Sequence, residues 1–86
     1  MQTHFHTYFN KRFSKLPAKV QAKVLEKIKI FSLNPFNDAL NNHALTGKYL
    51  GYRSINITGD FRAVYELISD DIALFIDIGT HNQLYG

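Results

Sequence analysis

A chain of 86 residues holds one hydrophobic core and leaves no room for a second domain. Apolar residues make up 45% and aromatics 14%, which excludes a disordered tail, and the absence of cysteine excludes a disulfide framework or a thiolate zinc site while permitting a reducing cytoplasm. The net charge of +3 and the pI near 9.3 lean toward an anionic partner, and no apolar run has the length of a signal peptide core or a membrane span.

Residues 3–8, "THFHTY", alternate and are rich in Thr, Phe and Tyr, predicting a short strand. From Asn10 the period lengthens, and Phe9, Phe13 and Leu16 fall on one helical face. Pro17 suits the start of a second helix, whose apolar stripe is Val20, Val24, Ile28 and Phe31. Asn34-Pro35 ends it, because the residue before proline is pushed out of helical conformation. "PFNDALNNHALTG" reads as loop.

Three strands are predicted next. "YRSINIT" sets Ile55 and Ile57 against Tyr52, Ser54 and Asn56. After a turn at Gly59-Asp60, "FRAVYELI" sets Ala63, Tyr65 and Leu67 against Arg62, Val64 and Glu66. After Ser69-Asp70-Asp71, "IALFIDIGT" puts Ile72, Leu74, Ile76 and Ile78 on one side and Phe75 and Asp77 on the other. The order predicts one α+β domain over residues 1–86, with an N-terminal strand and two helices packed in two layers on a small antiparallel sheet. The helices cover one face, and the other carries Ser54, Asn56, Arg62, Glu66, Asp77 and, by parity, His81. That polar face is expected to be a surface or a groove.

Several residues carry potential chemistry. His81 and Tyr85 stand just beyond the last strand, where a solvated histidine and an edge-sealing aromatic are the plain alternative. His43 lies in the loop and is equally readable as exposed and idle, and Asp60 as a turn residue. Arg62 opens a central strand, and a guanidinium on a sheet face needs water or an anion such as phosphate. His4 and His6 share a strand face, but no third metal ligand is evident, so no metal and no cofactor are expected. Lys19, Lys23 and Lys27 form a basic stripe, either a solvated helix face or a nucleic-acid contact. Asp77 lies four strand residues before His81, roughly 13 Å at ~3.3 Å per residue and too far for a direct hydrogen bond.

Leu45-Thr46-Gly47, Gly51-Tyr52-Arg53, Phe61-Arg62-Ala63-Val64-Tyr65 and Gly79-Thr80-His81 with Leu84-Tyr85 occur together over residues 43–86. In this order they resemble the RelE/ParE superfamily of bacterial toxins, and within it the YafQ-like ribosome-dependent mRNA interferases. The first half of the chain agrees in layout only. The resemblance implies a RelE-like fold and a metal-independent endoribonuclease acting on mRNA in the ribosomal A site, beside rRNA. It also implies a cognate antitoxin, in a hetero-oligomer away from any membrane and in the cytoplasm. His43, Asp60 and His81 match family positions, Tyr85 matches the aromatic closing the groove, and Arg62 matches the phosphate-binding arginine of the RelE and YoeB branches. Lys48, Arg53, Asn56 and Phe61 are the implied RNA contacts. Asn56 departs from the pattern, standing where YafQ-like toxins carry a second histidine and RelE a lysine.

The implied reaction is attack of the ribose 2′-oxygen on the adjacent phosphorus, leaving a 2′,3′-cyclic phosphate and a 5′-hydroxyl. Histidine, ordinarily titrating near ~6.5, suits either proton role. His81 is expected as the acid, Arg62 as the charge stabiliser and Tyr85 as a stacking platform, with the base open between His43 and Asp60. Two other readings share the fold: a ParE-like inhibitor of DNA gyrase, and a catalytically degenerate antitoxin-binding scaffold for which Asn56 is the main argument.

Overall fold

The computed structural model describes residues 1–86. Strand β1 (Gln2–Phe5) is shorter than its alternation predicts, because His6 turns the chain into helix α1 (Thr7–Ser14). The ring Nδ1 of His6 accepts the backbone N–H of Tyr8 at 3.0 Å and caps the helix, so Thr7 and Tyr8 are helical. Helix α2 (Ala18–Leu33) begins after Pro17 and stops at the extended Asn34. Phe9 of α1 and Val24, Ile28 and Phe31 of α2 are buried, with Phe13, Leu16 and Val20 packed around them.

The stretch expected as loop is partly ordered. It holds a 3-10 turn at Asp38–Leu40, the two-residue strand β2 (His43–Ala44) and a second 3-10 turn at Gly47–Tyr49. Two residues are too few to show alternation, so β2 left no periodic signal. Strands β3 (Arg53–Asn56), β4 (Phe61–Ser69) and β5 (Ile72–Thr80) form the expected meander, and helix α3 (His81–Tyr85) follows at once.

The sheet order is β1-β5-β4-β3-β2. Every pairing is antiparallel except β1 with β5, which run parallel with Gln2 opposite Ile72 and Phe5 opposite Phe75. The expectation of a purely antiparallel sheet is therefore corrected. A strand that leaves the sheet through two helices can be joined in either direction, and hydrophobic period does not encode which.

The main core lies between the helices and one sheet face. Phe31, Tyr65 and Phe75 meet at centroid distances of 4.8, 5.2 and 5.3 Å, and Phe9 reaches Phe75 at 6.0 Å. The register corrects the expected face of β5. Tyr65 pairs with Phe75 but Val64 pairs with Asp77, so Ile76 is an extra residue in a β-bulge. Ala73, Phe75 and Ile78 consequently join the helix-side core, while Ile76 packs on the other face. One inserted residue exchanges the faces of everything beyond it, which parity counting cannot foresee.

Candidate active-site groove

The second sheet face is partly roofed. Leu45, Val64 and Leu84 form a small buried cluster there, flanked by Tyr49, Tyr52, Ile76 and Tyr85. The 3-10 turn at Gly47–Tyr49 and α3 thus cover one end of the face expected to be open, and Ser54 and Asp77 are buried under them. Beside this cover runs a groove of about 340 Å³ lined by His43, Leu45, Thr46, Arg62, His81 and Tyr85, with Ala44. A larger cleft of about 450 Å³ lies between α1 and α3, lined by Tyr8, Lys11, Arg12, Lys15 and Gln83 among others. It holds cations but no imidazole or carboxylate for proton transfer, so chemistry rather than size favours the groove.

His43 stands on β2 opposite Ser54, and its Nδ1 lies 2.7 Å from the main-chain oxygen of Asn41. A carbonyl only accepts, so Nδ1 carries a proton, and in the neutral ring Nε2 is then the acceptor. Asn41 presents that carbonyl from the left-handed region, at φ 46° and ψ 51°, which asparagine tolerates better than most residues.

His81 opens α3, and its backbone N–H donates to the carbonyl of Asp60 at 3.1 Å. A capping box fixes the helix start: Thr80 Oγ1 accepts from the Gln83 N–H at 3.2 Å, and Gln83 Oε1 accepts from the Thr80 N–H at 2.8 Å. The sequence expectation of His81 on a continued strand is corrected by this turn into helix. Positions 81 and 85 then share a helical face, and the rings of His81 and Tyr85 meet edge to face at 4.9 Å.

Arg62 sits on β4 opposite Asn56. Its Nη1 donates to the carbonyls of Thr58, Gly59 and Phe61 at 3.0, 3.2 and 3.1 Å, which folds the guanidinium over its own turn. The two ion pairs of the chain, Arg12–Asp77 and Lys23–Glu26, leave Arg62 without a carboxylate. An unneutralised guanidinium beside two imidazoles is suited to an anion.

The profile of the family described as "Bacterial toxin of type II toxin-antitoxin system, YafQ" matches residues 1–86. The chain belongs to the YafQ toxin family. No curated protein matches it by sequence. Among solved structures, YafQ from E. coli strain BL21(DE3) is 24% identical with a TM-score of 0.79, covering 99% of this chain and 98% of that one. The YoeB/ParE toxin from Agrobacterium tumefaciens is 22% identical, TM-score 0.75, covering 94% and 99%. The RelBE2 toxin–antitoxin complex from Mycobacterium tuberculosis is 22% identical, TM-score 0.76, covering 93% and 96%. These likenesses establish the RelE-like α+β fold.

Within this YafQ-family chain the other sequence-selected residues are dispersed. Asp60 is exposed in the turn before β4 and does not line the groove; its contribution to His81 is a main-chain carbonyl. Phe61 packs against the main core on the helix side. Arg53 pairs across from Tyr65 on that same side, donates Nε to Asn42 Oδ1 at 2.9 Å and lies over the Phe36 ring at 5.4 Å. Lys48 is exposed in the 3-10 turn with its Nζ 5.3 Å from the Tyr49 ring centroid. Asn56 is half-buried with an unpartnered Oδ1. His6 spends Nδ1 on the α1 cap, and no group of three histidines or carboxylates converges to hold a metal ion.

Sequence reasoning missed the polar knot behind the groove. Asp77 Oδ1 accepts from the Ile78 N–H at 2.8 Å and lies 3.4 Å from Arg12 Nη1, while Oδ2 accepts from the Tyr49 hydroxyl at 3.2 Å. Burial, and then the Asp77 carboxylate, push the Tyr49 phenol up to about 12. Asp77 drew notice as an odd polar residue in an apolar strand, but its partners lie on α1 and in the 3-10 turn, beyond the reach of local pattern.

Proposed function

We propose that this chain is the toxin of a type II toxin–antitoxin system and acts as a ribosome-dependent mRNA endoribonuclease. Family membership supports the first half. The second half rests on one observation: His43, Arg62, His81 and Tyr85 line one groove that no carboxylate lines and whose arginine lacks a counter-ion.

The reaction assigned to the groove is transesterification within the RNA strand. Nε2 of His43, left as an acceptor by the Nδ1 hydrogen bond, removes the proton from a ribose 2′-hydroxyl. The 2′-oxygen attacks the neighbouring phosphorus, the bond to the 5′-oxygen breaks, and His81 protonates that leaving oxygen. The products are a 2′,3′-cyclic phosphate and a 5′-hydroxyl. Arg62 offsets the negative charge that accumulates on the phosphoryl oxygens. The half-buried Tyr85 ring stacks on a base and holds the strand for in-line attack. With the base, acid and charge all supplied by side chains, cleavage is expected to persist after zinc chelation while ribosomal magnesium is kept.

The protein partner is an antitoxin, as in the RelBE2 toxin–antitoxin complex, docking over the basic surface in a hetero-oligomer. The test is to map 5′ ends on ribosome-bound message after expressing the wild-type chain, His81→Ala and Arg62→Ala, with gyrase supercoiling assayed on the same samples. Loss of the imidazole should lower cleavage by ~10²–10⁴-fold and loss of the guanidinium by ~10²–10³-fold. Intact transcripts beside inhibited gyrase would replace this reading with the ParE-like one, and intact transcripts beside active gyrase with the antitoxin-binding scaffold.

A further inference from the structure

Asp77 is 7% exposed, and a carboxylate so placed needs partners. Three elements supply them: Arg12 from α1, the Ile78 N–H of β5 itself, and Tyr49 from the 3-10 turn. Two local irregularities make the meeting feasible. The bulge at Ile76 turns Asp77 away from the main core, and Gly79 leaves space for Arg12 to cross β5. A Cβ on Gly79 would lie 2.8 Å from Arg12 Nη2 and 2.8 Å from Gln83 Oε1.

Cover alone does not explain the arrangement. An apolar residue at position 77 would seal Val64 and Ile76 as well, and an ion pair with one buried and one half-buried member is a poor source of stability compared with a hydrophobic replacement. Its consequence is found one residue further along. The hydroxyl of Tyr85 is buried with no hydrogen-bond partner, so no polar contact orients that ring. Its aromatic neighbours are Tyr49, edge-on at 5.8 Å and 89°, and His81 at 4.9 Å and 66°. Of the two, Tyr49 is the one tied down by its own hydroxyl.

We infer that Asp77 is a positioning residue for the groove: pinned by Arg12, it anchors Tyr49, whose ring sets the orientation of Tyr85 and, through Tyr85, of His81. The inference rests on the nuclease reading for its kinetic consequence, and on geometry alone for its effect on the rings. It assigns to a carboxylate, two phenols and an imidazole a single line of contact running from α1 to the groove.

The test uses the full chain with Tyr49→Phe, which keeps the ring and removes the anchor, and with Asp77→Asn, which keeps an acceptor and removes the charge. Side-chain NMR signals of His81 and Tyr85 report ring orientation in the free protein, and cleavage of ribosome-bound message reports kcat and KM. Both variants should move the His81 and Tyr85 ring signals while leaving amide signals of α2 in place. They should lower kcat by about 10- to 100-fold, the scale of a misplaced reacting group, and raise KM by less, through the displaced Tyr85 platform. Unmoved ring signals in a folded Tyr49→Phe variant would overturn the inference, as would a wild-type kcat. If Asp77→Asn fails to fold, Tyr49→Phe decides alone. If the wild-type chain cleaves nothing, the nuclease reading fails, and the ring signals still decide whether Asp77 orients the groove.

Discussion

The imidazole of His43 takes its tautomer from a single main-chain oxygen, and that oxygen is aimed by the left-handed Asn41. Asn41→Val should therefore cost about 1–3 kcal/mol in strain, whereas Asn41→Gly should be nearly neutral. Denaturant midpoints of the two variants measure the difference, and cleavage should fall further in the valine variant as His43 loses its acceptor. Gly79→Ala is a second test at this scale. The added methyl would meet the mobile ends of Arg12 and Gln83 at 2.8 Å, so a loss of about 1 kcal/mol is expected from displacing the Asp77 partner and the α3 cap rather than from core strain. Of the residues that line the groove, His43, Arg62, His81 and Tyr85 were legible as chemical types in motif order, but Asn41 behind them was not, because no periodicity marks a single left-handed residue. Arg53 and Phe61, expected as RNA contacts, lie by strand parity on the helix side of the sheet, away from the groove lining.

At the level of elements, α3 depends on its cap. Thr80→Ala should cost about 1 kcal/mol, lowering Tm by roughly 4–8 °C in a domain of this size, and Thr80→Ser should recover most of it. Differential scanning calorimetry measures both. The Thr80-His81-Asn82-Gln83 run carries the capping-box pattern, so this helix was legible in principle; alternation along β5 hid it. The 3-10 turn at Gly47–Tyr49 makes a separate prediction through Tyr49. Its phenol is raised, so the unfolded chain releases that proton near pH 10 while the folded chain holds it to about 12. The contribution is therefore full below about pH 10 and disappears as the pH rises to about 12. Wild type should lose its stability margin over Tyr49→Phe across that window, read as the difference between their denaturant midpoints.

For the molecule as a whole, Phe31, Tyr65 and Phe75 tie helices and sheet into one core. Phe75→Ala should cost about 3–5 kcal/mol, a large fraction of the roughly 5–15 kcal/mol that holds such a domain together. Circular dichroism in denaturant should show a midpoint shifted far toward zero. The layer architecture was legible because Val20, Val24, Ile28 and Phe31 keep a helical period and the meander keeps a strand period. The parallel edge, the bulge and the two-residue β2 were not, since each is decided by how strands pair and not by the period within one strand.

The parallel pairing of β1 with β5 also orders events in time. Gln2 waits for Ile72, and the groove itself draws His43 from one part of the chain and His81 and Tyr85 from another. Such non-local closure is slow relative to helix formation. A nascent chain that has reached only β4 has residues 2–5 unpaired and has neither the imidazole nor the phenol of α3. Synthesis of this protein therefore passes through an intermediate that lacks one wall of the groove, and the groove is complete only after residues 72–85 have been made and folded back onto the rest.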